Sequence, residues 1–334
     1  MMLQRNPFPT KHQRGAALLA AMLTVTLVAS LAAAALWQQW RDVEIETAER
    51  NRVQASWLLL GALDWSRVVI QEDSRANRKS PVDHLGEPWA VPLQEARLST
   101  FLNAKNNVSN VDDDQADVQA AFLSGEIIDL QSRLNLRSLM IDPDKPLDAD
   151  RLKPFVRLFE RLGLPSSQVL EMANALRNAA GTSAGKSAAS NTPLMPRTLR
   201  QLGWLGLDPR LIARMEPFLV LLPEVTKINL NTASPEVIWA VEENLDWSAA
   251  NQLVQLRSSN PFKSTSDAAK ALGRSNLFAS GFGTTTEYFE ARGRLRMGDN
   301  MLSQRSILQR KDMTVTTLWQ ERGDWGLPVT NPIP

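Results

Sequence analysis

The sequence predicts an α+β protein: a long N-terminal helix packed on an antiparallel sheet, with a large all-α domain inserted between the strands. Three observations predict it. A charge-free apolar run, Ala16 to Trp37, leads without a proline into an amphipathic stretch that reaches Val69. Two regions far apart in the chain alternate apolar and polar residues, as half-buried strands do. Between them lies a long block of helical patterns punctuated by prolines.

The N-terminal element comes first. Residues 1–14 carry Arg5, Lys11 and Arg14 and no acid, and no charge follows from Gly15 to Trp40. The 22 positions from Ala16 to Trp37 make a helix of ~33 Å, enough to span a bilayer. The basic flank predicts a cytoplasmic N-terminus with the rest exported. Three readings fit: an uncleaved anchor, a secretory signal peptide cut near Ala32 to Ala35, and a prepilin-type signal cut after Gly15. Two features favour the third. Arg14-Gly15 abuts the apolar run directly. The helical pattern also continues past the membrane, with Glu46 and Arg50 at i,i+4 and an apolar face of Val53, Trp57, Leu60, Leu63, Leu59, Ala62, Trp65 and Val69.

Pro81, Pro88 and Pro92 then interrupt any helix after residue 80. Ile128, Leu130, Leu134 and Leu136 alternate with Asp129, Gln131, Arg133 and Asn135, which predicts a strand over 128–136. Helices are expected over 151–163 and 168–178, and over 198–222 with breaks at Pro209 and Pro217. Residues 181–192, GTSAGKSAASNT, read as a loop. Further helices are expected at 234–243, 249–257 and 266–272. The period then switches to two. Phe289, Ala291, Gly293, Leu295 and Met297 alternate with Glu290, Arg292, Arg294 and Arg296, and further strands follow near 302–308 and 313–319.

Composition narrows the function. The 334 residues hold no cysteine and two histidines, His12 and His84. Disulfides, thiolate metal sites and cysteine nucleophiles are thereby excluded, and a histidine-built centre is hard to assemble. Lys+Arg number 37 and Asp+Glu 36, a net charge of +1 that predicts no nucleic-acid partner. Ala180 to Ser187 loosely matches a phosphate loop, and Gly181 to Gly185 a nucleophile elbow. Both motifs require a preceding strand, and here a helix precedes. No catalytic constellation results, so an enzyme is not expected. Asp142, Asp144, Asp148 and Asp150 cluster as weak candidates for calcium. The competing reading is a polar turn in which Asp148 or Asp150 caps the following helix. Residues 228–272 resemble a helix-hairpin-helix, yet the turn at 242–247 holds Glu242, Glu243 and Asp246 and no glycine, which repels phosphate.

Several landmarks together carry a family resemblance: Arg14-Gly15-Ala16, Pro81 to Ala90 (PVDHLGEPWA), Asp129 to Leu136 (DLQSRLNL), Ile228 to Ser234 (INLNTAS) and the closing Tyr288-Phe289 with Leu308-Gln-Arg310. With these, the chain resembles the K-class minor pseudopilins of the bacterial type II secretion system over nearly its full length. The resemblance implies a leader peptide at 1–15, a pilin-type helix with a transmembrane part at 16–40 and a periplasmic part at 41–75, and a pilin-like β region at 76–146. It further implies an inserted α domain at 147–283, C-terminal strands at 284–325 and a tail at 326–334. It implies cleavage by prepilin peptidase after Gly15, N-methylation of the new terminus Ala16, and an assembly role for Ala20, the fifth mature residue. The implied place is the inner membrane, single pass, with the bulk of the chain in the periplasm at the pseudopilus tip. The implied partners are the I- and J-class minor pseudopilins and other secretion components. K-class chains also carry an acidic stretch after the second domain helix; here GTSAGKSAAS stands in its place. The alternative function is a membrane-anchored periplasmic binding protein or competence-type DNA receptor.

Overall fold

The computed structural model describes residues 14–98, 121–141, 146–183, 193–278, 280–298 and 300–323. Two compact units result, residues 1–57 and 58–334. Helix α1, Arg14–Ala76, runs through 63 residues and contributes to both. Such a helix is about 95 Å long.

In the first unit every described side chain from Ala16 to Arg50 is exposed. The hydroxyls of Thr24, Thr26 and Ser30 donate to carbonyls three or four residues back. Polar groups in an apolar helix are thus satisfied locally, as a lipid environment requires. Val53 and Trp57, expected on the buried face, are exposed. The buried stripe runs beside them instead, from Ala55 to Leu59 and onward.

In the second unit, Leu59, Leu63, Ser66, Ile70 and Asp73 form that stripe of α1. Their spacing of three, four and seven keeps them on one face of the helix. They meet a five-stranded antiparallel sheet of order β1-β2-β7-β8-β9. Its strands are β1 Leu93–Arg97, β2 Phe122–Asp129, β7 Tyr288–Met297, β8 Asn300–Lys311 and β9 Thr314–Arg322. Leu63, Ile70, Trp89, Phe289, Ala291, Leu308 and Val315 fill the space between helix and sheet. Gly125 and Gly293 pair across β2 and β7. A Cβ on Gly293 would lie 2.7 Å from Leu59 Cδ1, so the missing side chain is what lets α1 approach the sheet closely.

Among the described residues six α-helices lie between β2 and β7: α2 Ala149–Arg161, α3 Ser167–Ser183, α4 Pro209–Met215, α5 Pro235–Val241, α6 Trp247–Ser259 and α7 Thr265–Ala271. Phe155, Leu158, Phe159, Met172, Leu202 and Ile238 belong to their shared core. Two short parallel ladders tie this block together. β3 Leu134–Asn135 pairs with β4 Leu219–Val220, and β5 Ile228–Asn229 pairs with β6 Phe282–Gly283.

Three expectations change. The strand over 128–136 ends at Asp129, whose side chain accepts from Gln131 N and turns the chain into a 3-10 segment. Asn135 repeats the device on Arg137 N. The apolar alternation therefore reports buried turns, with Leu130, Leu134 and Leu136 all inside. The segment 198–222 is a 3-10 helix at Leu199–Leu205, then α4, then β4, so its last residues are extended. Helix α3 also runs on to Ser183, past the expected start of the loop; residues 184–192 lie outside the described ones.

Candidate functional site

Four of the landmark segments converge on one buried polar junction. Asp83 and Glu87 come from the turn after α1, and Asp73 from its last turns. Asp129 ends β2, Asn229 lies in β5, Thr286 precedes β7, and Arg310 sits in β8. The Asp129 carboxylate accepts from Gln131 N at 2.7 Å, Asn229 Nδ2 at 3.0 Å and Thr286 Oγ1 at 2.6 Å, and also from Thr232 Oγ1. Burial pushes this carboxyl up, and those hydrogen bonds pull it back only in part. Asn229 Nδ2 also reaches Asp83 O. The polar residues of DLQSRLNL and INLNTAS thus fasten the sheet to the helical block.

Asp83 is gripped by Arg310, whose Nη2 lies 2.6 Å from both carboxylate oxygens, while Nη1 reaches Asp73 Oδ2 at 3.2 Å. Thr286 N donates to Asp83 Oδ2 at 2.7 Å. Asn77 Nδ2 bridges Asp73 Oδ1 and Glu87 Oε1, and Trp89 Nε1 donates to Glu87 Oε2 at 2.7 Å. Oxygens of Asp73, Asp83 and Glu87 lie within 4.8 Å of one another, a spacing that could hold a metal ion. Arg310, Asn77 and Trp89 already aim donors at these oxygens, so the arrangement is an ionic core and not an open coordination sphere. Three acids face one guanidinium. Burial, and then the neighbouring Glu87 and Asp83, push Asp73 up to about 7 against the pull of Arg310. Glu87 is also raised, chiefly by burial.

Asp83, Glu87 and Asp129 lie inside landmark segments, yet no sequence pattern brought them together as one site. The available signal was Asp73 itself, in helical phase with Leu59, Leu63 and Ile70, where a lone charge on an apolar stripe must find partners.

Of the four aspartates offered as calcium candidates, Asp148 and Asp150 are described. Asp148 caps α2, accepting from Asp150 N at 3.0 Å, and lies 3.4 Å from Arg151. Asp150 pairs with Lys153 at 2.8 Å, which holds its carboxyl below the usual range. Asp142 and Asp144 lie outside the described residues. In the hairpin-like turn, Asp246 caps α6 and binds Arg274, Glu242 Oε2 accepts from Phe278 N, and Glu243 faces Lys153. The segment before Arg14 is outside the described residues; Gly15, Ala16 and Ala20 lie in α1, with Ala16 and Ala20 exposed. From Ala16 onward α1 is long and apolar enough to cross a membrane.

Comparison with known proteins agrees with this architecture. The family described as "Type II secretion system (T2SS), protein K" matches residues 132–224 and 228–285. Type II secretion system protein K of Pseudomonas aeruginosa is 27% identical over 96% of both chains. Its counterpart in Klebsiella pneumoniae is 26% identical, covering 93% of this chain and 97% of its own length. The crystal structure of the GspK-GspI-GspJ complex from enterotoxigenic Escherichia coli holds a chain with the same fold. The TM-score is 0.56 at 17% identity, covering 83% of this chain and 98% of that one. The chain is a minor pseudopilin and belongs to the type II secretion system protein K family.

Proposed function

We propose that this protein caps the tip of the periplasmic pseudopilus, initiates its assembly and so supports export across the outer membrane. The observation that carries the reading is Ala20, in an exposed apolar helix. Most pilin-like subunits place Glu at the fifth mature position, where it pairs with the N-terminal amine of the subunit added before it. A carboxylate without a partner costs ~2.5–3.5 kcal/mol near the centre of a membrane helix, and less toward its end. A subunit that is added first has no earlier neighbour, so alanine avoids that cost and forfeits nothing. The bulk of the helical block at 147–283 adds a steric reason to stay at the end of the filament.

The reading includes a single pass through the inner membrane, cleavage after Gly15 and N-methylation of Ala16. It includes I- and J-class minor pseudopilins as partners, in keeping with the complex that holds the structural relative. The test is to count copies per filament in the wild type, in Ala20→Glu and in a variant lacking 147–283. Copies along the shaft in either variant support the reading; tip-only copies in both place the restriction in partner contacts. Intact-mass analysis of membrane-derived protein should find a chain starting at Ala16, and a start near Leu36 would refute the pilin-helix processing.

A further inference from the structure

A cavity of about 470 Å³ opens between strands β7 to β9 and the segments around residues 130–137 and 195–223. Its size falls within the usual range for ligand sites, about 300–1,000 Å³. Leu222, Ile307 and Trp319 contribute an apolar floor. Five arginines line it, Arg133, Arg137, Arg197, Arg200 and Arg305, against two acids, Glu216 and Glu290.

Glu216 pairs with Arg200 at 3.6 Å, which leaves Glu290 to be shared among the others. Glu290 is buried and lies 2.9 Å from Arg292, 3.2 Å from Arg305 and 3.9 Å from Arg133. Burial alone would raise its pKa; the three guanidiniums overcome that and hold it below the usual carboxylate range. Arg292 and Arg305 have second partners in Glu126 and Glu321. Among the described residues Arg133 has no second ion pair: its side chain is 11% exposed, the shared Glu290 lies 3.9 Å away, and Glu216 attracts it only from farther off. Among the described residues the Arg137 guanidinium makes no hydrogen bond either. Guanidiniums with unused donors attract a carboxylate, which they can bind in a two-pronged geometry.

One wall of the cavity is a sheet edge. β9 is a terminal strand. The α1 side chains Arg67, Gln71 and Ser74 bond to the carbonyls of Val315, Met313 and Asp312, covering its start. Toward its other end the register slips: Ile307 faces Trp319 and Leu308 faces Thr317, leaving Leu318 as the extra residue. This bulge is why two consecutive residues, Leu318 and Trp319, both line the cavity.

We propose that this cavity binds an extended peptide segment of another protein, one that carries a carboxylate side chain next to an apolar one. The carboxylate meets Arg133 and Arg137, the apolar side chain covers the floor, and the backbone runs along the half of β9 that α1 leaves uncovered. An inorganic anion would satisfy the arginines and leave the floor wet. Strand addition gives the backbone affinity, and the pocket selects the side chains.

The test uses the full-length chain in lipid nanodiscs. A dye-labelled peptide, acetyl-Leu-Glu-Leu-Glu-Leu-amide, is followed by fluorescence anisotropy beside its glutamine counterpart. The acidic peptide should bind at least tenfold more tightly, and less tightly as salt rises. Arg137→Gln with Arg197→Gln removes two cations at the rim and leaves the buried Arg133 and Glu290 in place. This double variant should unfold at the wild-type temperature and bind about tenfold more weakly. Equal binding of the glutamine peptide, or unchanged binding by the double variant, overturns the proposal. Competition by free glutamate as strong as by the peptide overturns it too, because a small anion then suffices.

Discussion

The protein buries two ionic clusters of opposite imbalance. At the end of α1, Asp73, Asp83 and Glu87 share the single cation Arg310. Beside the cavity, Arg133, Arg292 and Arg305 share the single buried acid Glu290. The two excesses can be relieved in different ways. A carboxylate can take a proton, and Asp73, raised to about 7, is placed to do so near neutrality. A guanidinium cannot release one at any physiological pH. The acid-rich cluster can therefore balance itself from solvent, whereas the arginine-rich one needs anions from elsewhere in the fold or from a ligand. That difference is the physical ground for treating the first as a structural clasp and the second as a binding site.

The most severe way to break the comparison is Arg310→Met. It leaves three buried acids without their cation and should cost about 3–5 kcal/mol in denaturant unfolding. The loss should shrink at pH 5.5, where the acids can protonate; a loss independent of pH would show that they do not share a proton. Glu290→Gln is the mirror experiment, expected to cost about 2–4 kcal/mol because three guanidiniums lose their common partner. Here the loss should be the same at pH 5.5 and pH 8, and a strong pH dependence would erase the distinction between the clusters.

A smaller effect isolates Asp73. Its folded pKa lies above its ordinary value of 3.8, so between about pH 4 and 7 the folded chain holds a proton that the unfolded chain has released. That contribution to stability is full below pH 4 and is lost as pH rises toward 7. The slope is at most ~1.4 kcal/mol per pH unit. Asp73→Asn should flatten the profile in this window; an unchanged slope assigns the proton to another group. The smallest effect is expected next door. Lys311 meets Glu224 at 3.6 Å with both side chains 61% exposed. Lys311→Ala should change stability by no more than about 0.5 kcal/mol, although it adjoins the residue with the largest predicted loss.

Much of this fold was legible in the chain because it rests on periodic patterns. The long helix and the three C-terminal strands follow from runs whose apolar spacing has one interpretation. The segment 128–136 misled because side-chain oxygens of Asp129 and Asn135 accept from amides two residues on and turn the chain, so only 128–129 and 134–135 are extended, and Asp129, Gln131 and Asn135 are buried along with Leu130, Leu134 and Leu136. Strand β1, LQEAR, has no apolar alternation and owes its existence to pairing with β2. The ionic clusters were invisible for a different reason. Asp73 and Arg310 are far apart in sequence, as are Arg133 and Glu290, and local pattern carries nothing about such pairs. Glu290, Arg292 and Arg294 alternate with apolar neighbours, a pattern that puts them on one face of a strand and says nothing of what packs there. The helical block covers that face, and Glu290 and Arg294 are buried.

The pairing of β2 with β7 has a consequence for the order of folding. These strands register Leu123 against Leu295, so their contact closes a loop of roughly 170 residues, an entropic cost that falls when the intervening chain is already compact. The short parallel ladders supply that compaction, since β3–β4 and β5–β6 draw together the ends of the two segments that form the helical block. The β7–β8–β9 meander is local and needs no such help. The block and the meander should therefore form first, with β2 and then α1 docking last. Pulse-labelled hydrogen exchange on the refolding chain should find protection at Leu158 and Ile307 before Leu123, and early protection at Leu123 would reverse that order.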